Sequence, residues 1–244
     1  MSGDGCTAIL LINLIVGAAS FVTTLSGFGY ALVATPFMVL LFPPQIVVPV
    51  VLLSSIPLSV LLAWESHREM SAGRIGRWLV GAAVGGPLGV YGLASIQEEI
   101  MRQVIGGITL LAVLMLWLKP VRPFQRESLP ACMAGCLSGV AGGASGMSGP
   151  PIILFGLNQE WEHGELRANI IGYFTILHTA ILVLFGYVGI LDADTFVLGG
   201  WALPGMLIGY AGGVPIKQRV SGAHFRILAL GLVGLGGMLT LAVN

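Results

Sequence analysis

Charged residues are scarce in this sequence of 244 residues. Only 9% of the residues are Asp, Glu, Lys or Arg, 56% are hydrophobic, and the formal net charge is zero. Soluble domains carry about 25% charged residues. The composition therefore excludes an ordinary soluble protein and predicts an all-α polytopic membrane protein whose main partner is the lipid bilayer. The lack of net positive charge also argues against nucleic acid as a partner.

A signal peptide and a disulfide framework are also missing. Residues 1–5 carry only Asp4 as a charged residue, so the segment from Cys6 onward is interpreted as a membrane helix and not as a cleaved signal. The three cysteines lie in apolar segments, and their odd number excludes a disulfide framework. Cys132 and Cys136 share a helix face, which leaves a metal or redox role open, but packing is the favoured interpretation. No cofactor is expected.

The hydrophobic residues form ten stretches between charged or Gly/Pro-rich breaks. These stretches are 6–24, 30–42, 46–64, 78–95, 101–118, 129–142, 148–158, 168–190, 195–213 and 223–243. A membrane-spanning helix needs about 20 apolar residues. Eight stretches come near this length if 129–142 extends into its glycines, whereas 30–42 and 148–158 are too short. We expect the two short stretches to be broken helices, either re-entrant or crossing.

The short stretches occupy matching positions in two halves of the chain, 1–118 and 129–244, joined by a cytoplasmic linker at 119–128. The halves also resemble each other in sequence. The matching segments are Ser26-Gly27 with Ser145-Gly146, 79–89 with 203–213, and Arg102 with Arg226. The order of these matches predicts a duplication, and hence one transport domain of two repeats with about five hydrophobic segments each.

Basic residues are distributed unevenly between the predicted loops. If each short stretch crosses the membrane or forms a re-entrant hairpin, ten Lys and Arg residues fall on one face and Arg102 alone falls on the other. The positive-inside rule makes the basic face cytoplasmic. This assignment places both termini in the periplasm of a bacterial inner membrane and inverts the second half relative to the first. Inverted repeats with interrupted helices are typical of secondary transporters.

Each half contains a break rich in glycine, serine and proline. The breaks read TLSGFGYALVATP at 24–36 and GGASGMSGPP at 142–151. We expect Ser148 and Gly149 to cap a new helix with Pro150 in its first turn, and Ser26 to cap the short helix of the first half. Two helix N-termini that face one cavity would form an anion site without charged side chains. Close helix packing by small residues is the alternative interpretation.

No Asp, Glu, Lys or Arg lies in the middle of any stretch, so the membrane segments offer no carboxylate for a proton relay. The titratable candidate is His178, with Thr175 one turn away. In the first half, Ser55 lies beside Pro57, whose ring frees a backbone carbonyl. These polar side chains are candidates for the cavity wall. The alternatives are an interhelical hydrogen bond for His178 and bonds back to the same helix for the hydroxyls.

The two breaks resemble those of a known family. SGFGYALVATP at 26–36 and SGMSGPPIILF at 145–155 resemble the TauE/SafE-type sulfite exporters, also called toluenesulfonate uptake permeases, and the resemblance covers nearly the whole chain. It implies a carrier of sulfite, sulfoacetate, thiosulfate or a related organosulfonate anion. It also implies an anion path through Ser26, Gly27, Gly29, Ser145, Gly146, Ser148, Gly149 and Pro150. The sequence departs from the usual pattern at Tyr30-Ala31 and Pro150-Pro151, where further glycines are common.

The favoured hypothesis is therefore a secondary transporter of a small sulfur-containing anion that works by alternating access, and not an enzyme. Export of one negative charge from a negative interior gains about 2.3 kcal/mol per 100 mV, which favours export without a coupling ion. A coupling proton or sodium ion and a homodimer remain compatible with the sequence. One alternative is an anion channel. Another is a GxSG-type intramembrane serine protease, in which Ser145 would pair with His178 as general base.

Overall fold

A computed structural model of the chain describes residues 3–117, 123–216 and 222–242. Within these residues the chain forms ten α-helices, a 3-10 turn at His67–Glu69 and no β-strand. The helices are α1 (Gly3–Ser26), α2 (Tyr30–Met38), α3 (Pro44–Ser66), α4 (Ala72–Ser95), α5 (Glu98–Trp117), α6 (Ser128–Ser145), α7 (Gly149–Asn158), α8 (His163–Val188), α9 (Ala193–Gly213) and α10 (Gly222–Ala242). In the described part of the chain, six helices are long and apolar enough to cross a membrane. The predicted all-α polytopic membrane fold is confirmed.

The ten helices coincide with the ten predicted stretches, and the two short stretches form separate helices. α2 has 9 residues and α7 has 10, which corresponds to about 14 and 15 Å at the rise of an α-helix. The hydrocarbon core of a bilayer is about 30 Å thick. Each short helix can therefore cross only about half of the membrane, as expected of a broken helix.

Glycines in the left-handed region of backbone space bound the helices at both breaks. Gly27, with φ 85°, follows the end of α1, Gly29, with φ 104°, precedes α2, and Gly146, with φ 75°, follows the end of α6. L-residues with a side chain rarely adopt these angles. The breaks are thus built into the backbone by residues for which most substitutions are strained.

Two pairs of helices pack with their backbones in contact, α1 on α9 and α4 on α6. Glycines allow this approach. A Cβ atom added to Gly81 or Gly85 in α4 would collide with the backbone of Cys132 or Cys136 in α6, and one added to Gly205 in α9 would collide with the backbone of α1. The packing interpretation of Cys132 and Cys136 fits this position. No group of three potential metal-ligating residues occurs among the described residues.

The alignment of the two halves relates these helix pairs to each other. It places Asn13 of α1 on Cys132 of α6, and Trp201 of α9 on Arg77 of α4. In the structure, Asn13 Nδ2 donates to the Trp201 carbonyl oxygen at 2.8 Å, and Cys132 Sγ contacts the Arg77 carbonyl oxygen at 3.4 Å. One interhelical contact between the two halves therefore occurs twice, at aligned positions. The inversion of the halves across the membrane stays a prediction.

Several sequence predictions fall on residues that the structure does not describe. These are the linker residues 119–122, the loop with Lys217 and Arg219, and the side chain of Arg226. Large apolar side chains are exposed on the outer helices of the described part, for example Leu14, Val84 and Ile208. Their exposure suits a surface that faces lipid.

Candidate functional site

A cavity of about 30 Å³ lies where the two breaks meet. A space of this size holds a few water molecules. Residues 27–32 of the first break and 146–149 of the second form part of its wall. The remaining lining residues are Thr23 of α1, Ser55, Ser59 and Leu62 of α3, and Ile171, Phe174 and His178 of α8. Both interrupted segments thus face the same space, as the sequence predicts.

The N-terminus of α2 contributes unpaired backbone donors to this cavity. Its first helical hydrogen bond runs from Val33 N to the Gly29 carbonyl oxygen at 3.0 Å. The N–H groups of residues 30–32 therefore have no partner within the helix, and these residues line the cavity. Aligned peptide dipoles place partial positive charge at this end of the helix. The first break can therefore receive negative charge without a basic side chain.

The N-terminus of α7 is built differently. Pro150 and Pro151 follow Gly149 directly in its first turn, as predicted for Pro150, and proline has no backbone N–H. Ser148 stands at the predicted position directly before α7, but its hydroxyl forms no cap bond. The physical reason is that a capping side chain accepts from the second or third helical N–H, and both of those positions are proline. The Ser148 hydroxyl is thereby free for another partner.

That partner is His178 of α8. Ser148 Oγ and His178 Nε2 lie 3.2 Å apart, and both groups are buried. The carbonyl oxygen of Ser148 accepts a hydrogen bond from Ser138 Oγ at 2.6 Å, and Tyr173 donates to the same Ser138 hydroxyl at 3.0 Å. The start of α7 is therefore fixed from two sides, through its carbonyl and through its hydroxyl.

The second ring nitrogen of His178, Nδ1, is not used by the contact with Ser148. The ring stacks on Phe174 with centroids 5.2 Å apart and an interplanar angle of 6°. Its Nδ1 is buried and has no hydrogen-bond partner among the described residues. A buried polar atom without a partner is costly. Because His178 lines the cavity, this nitrogen is suited to a ligand or to a water molecule that a ligand displaces.

Ser26 does not cap α2, contrary to expectation. It is the last residue of α1, and Gly29 occupies the position before α2. The Ser26 hydroxyl donates to the Val22 carbonyl oxygen at 2.8 Å and accepts from Phe28 N at 3.3 Å. Three residues, 27–29, separate it from the start of α2, so its hydroxyl bonds to the end of α1 and to the backbone of Phe28 instead.

The structure brings most, but not all, of the predicted site residues together. Those that line the cavity are Gly27, Gly29, Ser55, Gly146, Ser148, Gly149 and His178. Those outside its wall are Ser26, Ser145, Pro150 and Thr175. Ser145 Oγ donates to the Ala141 carbonyl oxygen at 2.7 Å, and Thr175 Oγ1 donates to that of Ile171 at 2.8 Å. These two hydroxyls follow the alternative in which a polar side chain bonds back to its own helix.

Tyr30 and Phe174 line the cavity although neither is a predicted site residue. Tyr30 is buried and donates from its hydroxyl to Ser54 Oγ at 3.0 Å. Its position inside the first break, where glycine is common in the resembling family, was a usable signal. Phe174 stands one turn before His178, and nothing in an apolar helix distinguishes it from an ordinary packing residue.

The serine and histidine of the protease alternative are not paired. Ser145 Oγ donates to its own helix, while His178 Nε2 contacts Ser148. Nucleophilic catalysis requires a base within reach of the nucleophile and usually a third group that orients the base. His178 Nδ1 has no such partner in the described part of the chain. The Gly-x-Ser-Gly pattern at 143–146 lies at the end of α6, and its serine does not contact His178 in this structure.

Comparisons with known proteins place the chain among membrane transporters of one family. The model of the family described as sulfite exporter TauE/SafE matches residues 12–240 of the chain. A protein of Cupriavidus necator (strain H16) described as a probable sulfite/organosulfonate exporter TauE is 28% identical over 250 residues, which cover 99% of this chain and 97% of that protein. No solved structure matches the chain.

Proposed function

This chain belongs to the sulfite exporter TauE/SafE family, and from that premise we propose that it carries a small sulfur-containing oxyanion across the membrane. The candidate substrates are sulfite, sulfoacetate, thiosulfate and related organosulfonates. The similar protein from Cupriavidus necator is described as a probable exporter of sulfite and organosulfonates, which supports this class for the present chain. The substrate site we propose is the cavity between the two breaks.

One observation carries this proposal: a single cavity is lined by both interrupted segments together with Ser148 and His178. An oxyanion there would accept hydrogen bonds from the N–H groups at the start of α2. When the Ser148 hydroxyl donates to His178 Nε2, the imidazole proton lies on the unpartnered Nδ1, which would donate to the anion. Hydrogen bonds to a charged group contribute about 1.5–3 kcal/mol each. A few such contacts hold a small anion without a permanent opposite charge.

We propose export as the direction of transport, by alternating access around this site. No described residue in the cavity wall is Asp, Glu, Lys or Arg, so no carboxylate is available there to couple a proton to uptake. The membrane potential alone favours exit of an anion by about 2.3 kcal/mol per 100 mV. If transport is coupled to a proton, we propose that His178 carries that proton, because an imidazole is the wall side chain that can change its charge at physiological pH.

The membrane topology we propose follows from the loop charges. Both termini lie in the periplasm of a bacterial inner membrane, and the second half is inverted relative to the first. Aligned contacts in the two helix pairs, from Asn13 to Trp201 and from Cys132 to Arg77, support two structurally related halves. We propose that the activity of the protein is transport and not catalysis. We also propose a homodimer as its assembly.

Thermal unfolding in the presence of anions tests the proposal. The purified protein is heated with sulfite, thiosulfate, sulfoacetate, taurine, sulfate or chloride, and the midpoint of unfolding is compared with that of the free protein. A ligand that binds only the folded state raises stability by RT ln(1 + [L]/Kd). We expect at least one sulfur oxyanion to raise the midpoint more than chloride does. Equal midpoints for every anion would contradict the proposed site.

A further inference from the structure

The face of α8 that lines the cavity continues beyond it to a basic residue. Ile171, Phe174 and His178 line the cavity, and Arg167 precedes them on the same helix. Residues separated by four, seven and eleven positions lie on one side of an α-helix. Arg167 therefore stands one turn, or about 6 Å, beyond Ile171 on the cavity-lining face.

The side chain of Arg167 lies across the first break. A Cβ added to Gly27, which itself lines the cavity, would meet Arg167 Cγ at 2.5 Å and Arg167 Nε at 3.1 Å. The absence of a side chain at Gly27 thus makes room for the arginine stem. Arg167 Nη2 donates to the carbonyl oxygen of Thr24 at 3.3 Å, in the last turn of α1. Arg167 is not itself a lining residue, but its side chain lies against Gly27 of the cavity wall and not in an outer loop. We call this position beside Gly27 the mouth of the cavity.

The guanidinium is poorly satisfied in this position. Arg167 Nε is buried and has no hydrogen-bond partner among the described residues. Arg167 also takes no part in the salt bridges of the described residues, which involve Arg74, Arg77 and Arg102. Glu65 and Glu69 are exposed and favour the charged form of Arg167 electrostatically. A partly buried cation with spare donors is prepared to receive an anion.

We propose that Arg167 recognises the transported anion at the mouth of the cavity and selects substrates by their charge before they reach Ser148 and His178. This inference rests on the proposed function. An oxyanion would take the open Nε–H and replace the Thr24 carbonyl as the partner of Nη2. The planar guanidinium presents two parallel donors to an oxyanion, which a lysine does not. The same positive charge disfavours cations at the mouth.

This role differs from the snorkelling that explains most basic residues at helix ends. A snorkelling arginine extends its head into water, whereas Arg167 folds over Gly27 and bonds to the backbone of α1. On the proposed topology, the start of α8 faces the cytoplasm. Arg167 would then meet the anion on the side from which it is exported.

Neutralisation of Arg167 is the test, with Arg68 as the matched control. Arg68 is exposed in the 3-10 turn that packs against α8, so R68Q removes the same charge without altering the cavity mouth. We expect R167Q to weaken sulfite binding by about ten- to hundredfold, the effect of one charge-assisted contact, while R68Q changes it less than about threefold. R167K keeps the charge and should retain part of the affinity.

A second readout separates anion recognition from a structural role. We expect R167Q to lose more affinity for sulfoacetate, which has two acidic groups, than for ethanesulfonate, which has one. A structural role would weaken both ligands equally, and that result would overturn the inference. Unchanged sulfite affinity in R167Q, with wild-type binding intact, would overturn it as well. If the wild type itself binds no sulfur anion, the proposed function fails first.

A measurement on the unaltered protein covers the case in which R167Q does not fold. Arginine-selective dicarbonyl reagents modify accessible guanidinium groups, and mass spectrometry locates the modified residues. We expect sulfoacetate, added to the wild type before the reagent, to slow modification of Arg167 but not of Arg68. Equal rates at Arg167 with and without bound sulfoacetate would contradict the inference.

Discussion

Ser148 Oγ and His178 Nε2 lie 3.2 Å apart and join the second break to the cavity-lining face of α8. The contact exists because the two prolines that follow Gly149 leave the Ser148 hydroxyl with no helix end to cap. The Ser-Gly-Pro-Pro segment at 148–151 therefore begins α7 and also provides the Ser148 hydroxyl group to the cavity.

Removal of the Ser148 hydroxyl is expected to impair anion binding. In S148A, His178 Nε2 loses its partner, and the imidazole loses the hydroxyl donor that keeps its own proton on Nδ1 for the anion. An unsatisfied buried polar atom costs about 1–3 kcal/mol, so we expect lower stability of the free protein and about tenfold weaker sulfite binding. Unfolding midpoints with and without sulfite measure both effects.

Thr179 supplies the control for this prediction. It neighbours His178 in α8, is exposed, and donates to the Thr175 carbonyl oxygen of its own helix at 2.7 Å. T179A should leave sulfite affinity unchanged. Equal losses of sulfite affinity in T179A and S148A would show that the contact between Ser148 and His178 does not contribute specifically to binding.

A methyl group at Gly146 is expected to affect the site as well as the fold. Gly146 has φ 75° and lines the cavity, and a Cβ there would approach Ala31 Cβ to 3.3 Å. Gly189 has φ 79° at the end of α8, with open space around it. Both G146A and G189A should lose about 1–2 kcal/mol of stability through backbone strain. Only G146A should also lose sulfite binding.

The measurement for this pair is sulfite affinity at matched stability. Sulfite titrations are made at a temperature at which G146A and G189A are both fully folded. Because both variants carry similar backbone strain, a difference in their sulfite affinity comes from the cavity wall. If G189A loses as much affinity as G146A, strain and not the cavity wall controls binding.

Backbone packing of α4 on α6 predicts opposite outcomes for two glycines of α4. A Cβ at Gly85 would collide with the Cys136 carbonyl, whereas one at Gly76 meets nothing within 4 Å. G85A should destabilise the protein by about 1–3 kcal/mol through overpacking. G76A should be neutral or stabilise by up to about 1 kcal/mol through helix propensity. Unfolding in a mild detergent measures the difference, and destabilisation by G76A alone would contradict the packing.

The N-terminus of α9 gives a pH-dependent prediction outside the membrane segments. Asp192 caps this helix and accepts from Thr195 Oγ1 at 2.6 Å and from Thr195 N at 2.7 Å. These bonds, the side-chain bond above all, hold the pKa of the Asp192 carboxyl below its ordinary value. Its stabilising effect is therefore present at neutral pH and is lost as the pH falls through that lowered pKa.

Two variants of Asp192 separate the cap from its charge. D192A should unfold at a lower temperature than the wild type at neutral pH, and the gap should close in strongly acidic solution. D192N retains a capping oxygen without a titrating group, so its unfolding should lack this pH dependence. A gap between the wild type and D192A that persists unchanged at low pH would contradict the assignment.

The sequence predicts the fold more completely than the site. Apolar stretches interrupted by charge or glycine give the ten helices within a few residues, because the bilayer fixes the length and polarity of every span. Gly27 and Gly146 are predictable as helix ends, since few residues other than glycine end a helix in the left-handed conformation. Even the short lengths of α2 and α7 follow from the residues that bound them.

Side-chain partners were less predictable because they depend on which helices meet. Ser26 and Ser148 stand in similar Ser/Gly contexts, yet one hydroxyl bonds to its own helix and the other contacts His178. Arg167 reads as one more basic residue in a loop. Its position over Gly27 depends on the packing of α8 against the end of α1, which no local pattern encodes.

Exchange of labelled sulfite across liposomes that contain the purified protein tests the central claim most directly. The account predicts efflux that saturates with concentration, accelerates when unlabelled sulfite is added on the opposite side, and falls strongly in S148A but not in T179A. Efflux that rises linearly with concentration and ignores sulfite on the opposite side would indicate a channel. The absence of sulfite flux for a folded protein, or equal flux in both variants, would contradict a carrier site at the broken helices.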